Sequence, residues 1–183
     1  MTKQNTILST KTLSTIQKEA LVNADFNVIE ADFIKTEHRN FDLKNIKDNL
    51  IFTSQNAVHS ILQHPKCAEL KTKPVFCVGL KTKILLSENG FNVDVFSGYA
   101  SDLAEIITLI HGSDSFTFFS GNLRRETLPQ ALKEENVDFN EIQVYETTLT
   151  PHKIKDSVEA ILFFSPSGVA SYLKDNTIKK HCL

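Results

Sequence analysis

Serine, glycine, asparagine and two adjacent arginines stand together in FFSGNLRRETLPQAL, residues 118–132. An apolar run ends at Ser120, a short polar stretch follows, and a helical pattern begins. A turn of this kind gathers backbone N–H groups and side-chain donors at a helix start, which is chemistry for holding an anion. Arg124 and Arg125 are two of only three arginines in the chain. On a helix they point about 100° apart, so one can face a ligand while the other is solvated. A guanidinium grips a carboxylate bidentately; the competing reading is an ordinary surface pair with Glu126 or a neighbour. Thr127 and Gln130 have capping-box spacing and Pro129 suits a first helical turn, so the main helix is expected to begin at 127.

Other turns repeat the chemistry. Ser9–Thr10, Thr53–Ser54–Gln55–Asn56, Gly79 with Thr82, Ser120–Gly121–Asn122 and Ser165–Pro166–Ser167–Gly168 each join an apolar run to a helical pattern. Any one of them is explained by N-capping alone; a set of them on one sheet edge is a binding surface, because ligands of open α/β sheets sit beyond the carboxyl ends of the strands. Tyr145 closes the run IQVY and is a candidate proton donor, with Tyr99 in SGYASDL as its rival. The competing reading of Tyr145 is a half-buried strand tyrosine. Cys77 and the strand phenylalanines read as core. No GxGxxG, GxxxxGK[ST] or GxSxG stretch occurs, which removes support for dinucleotide, ATP or hydrolase chemistry.

The elements that must position these groups alternate. TILST, NLIFTS, PVFCVG, NVDVFS, SFTFFS and EAILFFS read as strands, each followed by a helical pattern, with Gly90 at a helix C-terminus and Asp102 and Glu105 at capping-box spacing. Such alternation argues parallel sheet covered by helices. Residues 30–42 and 142–153 break the rhythm and read as two antiparallel crossings between two lobes: 1–35 plus 150–183, and 38–145. One larger doubly wound domain with a long loop is the alternative. IFTSQNAVHSIL (51–62) and LFFSPSGVASYL (162–173) echo one another, as equivalent βα turns of related lobes would.

The chain has 183 residues, a net charge of −2, six scattered histidines and three cysteines, Cys67, Cys77 and Cys182, without CxxC spacing. A disulfide framework and a zinc site are disfavoured, and the cytoplasm is the expected compartment. The charge supplies no basic field for nucleic acid. No apolar run is long enough for a membrane helix, and the N-terminus lacks a signal-peptide core.

Together NLIFTSQNAV, CVGLKTKILLSENGFNV, FFSGNLRRETLPQALKEENVDFNEIQVYETT and ILFFSPSGVASYL, in this order and spacing, resemble the uroporphyrinogen-III synthase family. The resemblance implies two flavodoxin-like parallel-sheet α/β lobes joined by a two-stranded crossing, with the active site in the cleft between them. It implies conversion of hydroxymethylbilane to uroporphyrinogen III with loss of water and inversion of ring D, in haem biosynthesis, without metal or organic cofactor. The anion would then be the carboxylates of a linear tetrapyrrole. Tyr145 matches the family's cleft tyrosine, a candidate to assist departure of the hydroxyl. Thr10, Thr53, Ser54, Asn56, Thr82, Ser120, Gly121, Asn122, Ser165 and Ser167 would contact substrate, with Arg124 as a further carboxylate ligand. Lys11 stands where many members have arginine, which weakens a bidentate role there.

Family members continue past the FFSPSGV helix with another strand, an IG-x-TT turn and a further βα unit, whereas this sequence stops at KKHCL. The expectation is a first lobe with an exposed apolar face and strand edge, melting below a homologue extended at its C-terminus. A non-catalytic tetrapyrrole-binding module, or an inactive truncated synthase, is the alternative function. A monomer is expected, with transient contact to the upstream deaminase as a further possibility.

Overall fold

A computed structural model describes residues 5–178. Cys182 and the KKHCL end lie outside the described residues. The chain divides into two compact units, residues 1–35 with 147–183, and residues 36–146.

In the first unit, strands β1 (Asn5–Ser9), β2 (Phe26–Glu30) and β9 (Ala160–Leu162) form a parallel sheet in the order β2-β1-β9. Helix α1 (Thr15–Asn23) follows β1, and helix α7 (Pro166–Asp175) follows β9. Ser14 and Gln17 close a reciprocal capping box at the start of α1, satisfying two donors the first turn leaves open. The core is small: Leu8, Phe33 and Tyr172 are buried, with Ile29, Ile154, Val158, Ile161 and Phe163 packed against them. The Phe33 ring meets the rings of His152 at 5.3 Å and Tyr172 at 5.5 Å.

The second unit carries the larger sheet. Its strand order is β3 (Ile34–His38), β8 (Asp138–Leu149), β7 (Ser115–Gly121), β4 (Asn49–Phe52), β5 (Pro74–Val78) and β6 (Asn92–Ser97). From β8 to β6 every pairing is parallel. Beside β8, the bonds Arg39 N–H to Val144 O and Thr150 N–H to Phe33 O run in opposite chain directions, the antiparallel pattern expected of the two polar segments.

Parallel strands covered on both faces read as continuous apolar runs rather than alternating ones. Leu50, Phe52 and Phe119 face a core closed by α2 (Gln55–Leu62), α3 (Cys67–Leu70) and α4 (Leu80–Glu88). Ile51, Phe76, Phe116 and Phe118 face a second core, closed by α5 (Ala100–Ile110) and α6 (Thr127–Glu134).

Two local expectations need correction. Tyr99, not Asp102, is the N-cap of α5, and it makes no side-chain cap bond; Asp102 lies within the first turn. Helix α6 begins at Thr127 as expected, but its cap is Glu126, again without a side-chain cap bond, and Gln130 bonds Glu134 instead. The short helix α3 had no sequence signal, being one turn long. Gly90, with φ of 79°, does sit just past α4 and returns its N–H to Ser87 O, as a left-handed glycine cap does.

Candidate functional site

All five parallel strands of the larger sheet point their carboxyl ends to one edge. The register pairs Phe52 with both Phe119 and Cys77, so Thr53 follows β4 beside Ser120 on β7 and Val78 on β5. Thr53, Ser54, Asn56 and Thr82 line one shallow cavity of about 340 Å³, with Gly79 and Lys81. Ser54 caps α2, its Oγ accepting from Asn56 N–H at 3.2 Å. Gly79 caps α4 at φ of 90°, a backbone conformation that an L side chain would strain. Lys81 was not singled out by the sequence; its only signal is its place one residue before Thr82, on the first turn of α4.

Ser120, Gly121, Asn122, Arg124 and Tyr145 form the neighbouring part of the same edge. Ser120 is buried and donates its hydroxyl to Glu141 Oε1 at 2.5 Å. Asn122 is exposed on the turn. Arg124 donates to Glu141 through Nε and, at 2.9 Å, through its terminal amino group, and pairs with Glu126 at 2.6 Å. The fork that could take a substrate carboxylate is therefore held by two carboxylates of the chain. Bonds to Glu141 and Glu126 keep this guanidinium firmly charged against the opposing effect of burial. Burial pushes the Glu141 carboxyl up, but the bonds from Arg124 and Ser120, with the charges of Arg124 and Lys133, outweigh it and hold it below the usual range.

The sign of that shift gives a prediction. A carboxylate with a depressed folded pKa adds stability above its unfolded value of about 4.3, and this is lost as pH falls through the folded value. Urea unfolding followed from neutral to acid pH should show stability falling less steeply below that range in Glu141→Gln than in the parent. Equal acid slopes would remove Glu141 from the account.

Tyr145 lies half-buried beside Gly121. A methyl group built on Gly121 would sit 2.2 Å from Tyr145 Cε2 and 2.3 Å from Cζ, so the ring occupies the space a side chain would take. A bulge makes this possible. Ser120 pairs with Gln143 but Gly121 pairs with Tyr145, leaving Val144 as the extra residue. In a regular strand Ile142 and Val144 would share one face and Tyr145 the other. The bulge puts Tyr145 against the same core as Ile142 and Val144, a re-aiming typical of bulges.

One interaction had no sequence signal. Ser60 donates to Asn56 O at 2.9 Å and lies 2.7 Å from His38 Nδ1, while Gln63 Nε2 lies 3.0 Å from His38 Nε2. Since the Ser60 proton is committed, Nδ1 donates and Nε2 accepts from Gln63. Ser60 is buried and its proton goes to a backbone carbonyl, so the pair braces the first turn of α2 rather than forming a nucleophile. Tyr99 is exposed at the start of α5, its backbone carbonyl accepting from Ser97 Oγ. Burial pushes the Cys77 thiol up to about 11, as suits a core residue.

In the other unit, Thr10 follows β1 and Ser165 follows β9. Thr10 is buried and its hydroxyl donates to Leu162 O at 2.8 Å. Ser165 caps α7, accepting from Gly168 N–H at 3.0 Å with Ser167 Oγ also at 3.0 Å. Gly168 stands between them: a methyl there would lie 3.4 Å from Ser165 Oγ and 3.7 Å from Thr10 Oγ1. Thr10, Ser165 and Ser167 thus gather at one sheet edge. Lys11 lies with its ammonium 4.5 Å above the Phe164 ring. A separate cavity of about 310 Å³, lined by Lys153, Ser157, Ala160 and Asn176 among others, holds none of the residues the sequence pointed to.

The fold defines the class: an α/β protein of two parallel-sheet units with polar turns at the carboxyl ends of their strands. Residues 17–179 match the family model described as uroporphyrinogen-III synthase HemD. The chain belongs to the uroporphyrinogen-III synthase family, the lyases that cyclise a linear tetrapyrrole in haem biosynthesis.

Its fold is similar to that of uroporphyrinogen-III synthetase from Helicobacter pylori, with a TM-score of 0.70 at 18% identity over 96% of this chain and 80% of that one. A mutant uroporphyrinogen III synthase from the extremely thermophilic bacterium Thermus thermophilus matches with a TM-score of 0.60 at 16% identity, over 80% of this chain and 64% of that one. The wild-type Thermus enzyme matches at 0.53. No helix among the described residues is long and apolar enough to cross a membrane.

Proposed function

We propose that this chain closes hydroxymethylbilane to uroporphyrinogen III, and that the edge carrying Thr53, Ser54, Asn56, Thr82, Gly121, Asn122 and Tyr145 does the work. Tyr145 is the catalytic residue of this reading. Its phenol gives a proton to the departing hydroxyl, water leaves, and the resulting azafulvene is attacked by the substituted carbon of ring D. Fragmentation of the spiro intermediate and reclosure invert that ring, and loss of a proton, which restores the Tyr145 phenol, completes the product. Unassisted closure yields the type I isomer, so the protein's task is to favour one fold of the substrate; each tenfold preference needs about 1.4 kcal/mol. Backbone N–H groups and hydroxyls at the starts of α2 and α4, with Lys81, supply carboxylate contacts. Thr10, Ser165 and Ser167 are the corresponding donors of the other unit. Ser120, whose hydroxyl goes to Glu141, and Arg124, whose fork is held by Glu141 with a further contact to Glu126, serve as positioning residues. The chain acts as a monomer in the cytoplasm, in transient contact with the deaminase that supplies its unstable substrate.

The observation that carries this reading is the placement of Tyr145 on Gly121 within a chain whose residues 17–179 match the family. A coupled assay tests it: generate hydroxymethylbilane with the upstream deaminase, add this protein, oxidise, and separate uroporphyrins I and III. Type III above the no-protein control is expected, and type I alone would refute the activity. Tyr145→Phe should slow formation of type III by about tenfold or more, as loss of a general acid does, while KM changes little. An unchanged rate would take the phenol out of the mechanism.

A further inference from the structure

We infer that Glu141 is the positioning residue for Tyr145, acting through the Ser120–Gly121 backbone from the opposite face of the sheet. The inference rests on the catalytic reading of Tyr145 for its consequence, but its geometry stands apart from that reading.

Along β7, Phe116 and Phe118 face the α5–α6 core and Phe119 faces the other. Ser120 therefore shares the α5–α6 side with Phe118, and Gly121 shares the opposite side with Phe119. On β8, Glu141 pairs in register with Phe118 and alternates with Ile142, which packs on the opposite core. Glu141 takes the Ser120 hydroxyl and both donors of the Arg124 fork on one side. The Tyr145 ring lies on Gly121 on the other.

Arg124 N–H also returns to Gly121 O at 3.3 Å. The segment from Ser120 to Arg124 is thus closed into a turn whose two ends are both tied to one carboxylate. With that carboxylate in place, the Gly121 backbone is a fixed floor for the ring. The Glu141 side chain is 27% exposed and Arg124 19%, so the pair is shielded enough to be directional without being cut off from water.

Glu141→Gln tests this, because an amide puts an N–H₂ donor where one of the three incoming bonds needs an acceptor. The chain has no tryptophan and three tyrosines, so near-ultraviolet circular dichroism is sensitive to the Tyr145 ring, whose share is found by subtracting Tyr145→Phe. The expected result is a changed Tyr145 signal in a folded Glu141→Gln protein. In the coupled assay, kcat should fall about tenfold, as modest misplacement of a reacting group does, with KM nearly constant. The variant carrying both Glu141→Gln and Tyr145→Phe should be no slower than Tyr145→Phe alone, since a residue acting through another has nothing left to act on.

An unchanged tyrosine signal, or losses that multiply in the double variant, would overturn the inference. If Tyr145→Phe itself turns over at the parent rate, the catalytic reading has failed, and the tyrosine signal alone then decides the positioning. Should Glu141→Gln not fold, Arg124→Lys keeps the charge, gives up the fork, and carries the same readouts.

Discussion

Gly121→Ala is expected to abolish most of the activity while leaving the chain folded. The new methyl would lie 2.2, 2.3 and 2.8 Å from three atoms of the Tyr145 ring, far inside contact distance. Either the ring swings off Gly121 or β7 and β8 separate locally at the bulge. Overpacking of this kind costs about 1–3 kcal/mol, which a unit with two well-filled cores can absorb. The rate has no such reserve. Displacing a reacting group by about an ångström can cost on the order of a hundredfold, and here the displaced ring is the proposed proton donor.

Gly98→Ala is the control, because a methyl there meets nothing within 4 Å; it should melt and turn over like the parent. Adding Tyr145→Ala to Gly121→Ala should recover stability but not rate, since it removes the clash and the phenol together. Thermal melting and the isomer-resolved assay read both quantities. A Gly121→Ala protein with parent-like rate would show that the ring has another equally productive seat.

What the sequence made legible is what the chain encodes locally. Runs such as NLIF and SFTFF are buried on both faces and read directly as parallel strands. Ser54 and Ser165 were visible as equivalent cap positions because the serine, the small residues after it and the apolar spacing all lie within one turn. The capping boxes expected at 102/105 and 127/130 failed for a related reason. Their spacing is right, but the N-caps are Tyr99 and Glu126 rather than Asp102 and Thr127, and a box works only from the N-cap itself.

The site's governing contacts were hidden because they are not local. Arg124 finds Glu141 on another strand, seventeen positions on, and the sequence offered only the nearer Glu126. The bulge at Val144 depends on β7–β8 register, which no single strand spells out, and without it Tyr145 would be assigned to the wrong face. His38 and Ser60 meet across an edge strand and a helix, with nothing in either segment to announce the pairing.

Phe33→Ala should unfold the smaller core selectively. Phe33 is fully buried, one of three buried residues that form the centre of its unit among those described, and its ring touches both His152 and Tyr172. Removing a buried phenylalanine costs about 3–5 kcal/mol, against the 5–15 kcal/mol or so that holds a typical domain. A unit with a three-stranded sheet and an α1 helix that buries none of its own side chains has little to set against such a loss. The same backbone position also fixes the candidate site, since Phe33 N–H bonds Thr10 O and Phe33 O accepts from Thr150.

Hydrogen exchange resolved by peptide should therefore show protection lost in 5–35 and 147–178 at temperatures where 49–121 remains protected. Phe52→Ala, at the centre of the larger sheet, should give the reverse order. Simultaneous loss of protection throughout the chain in Phe33→Ala would mean that the two units unfold as one, with the larger core supporting the smaller. Selective loss would mean that the Thr10 and Ser165 edge can melt while Tyr145 still rests on Gly121, so that activity disappears well below the temperature at which most of the chain unfolds.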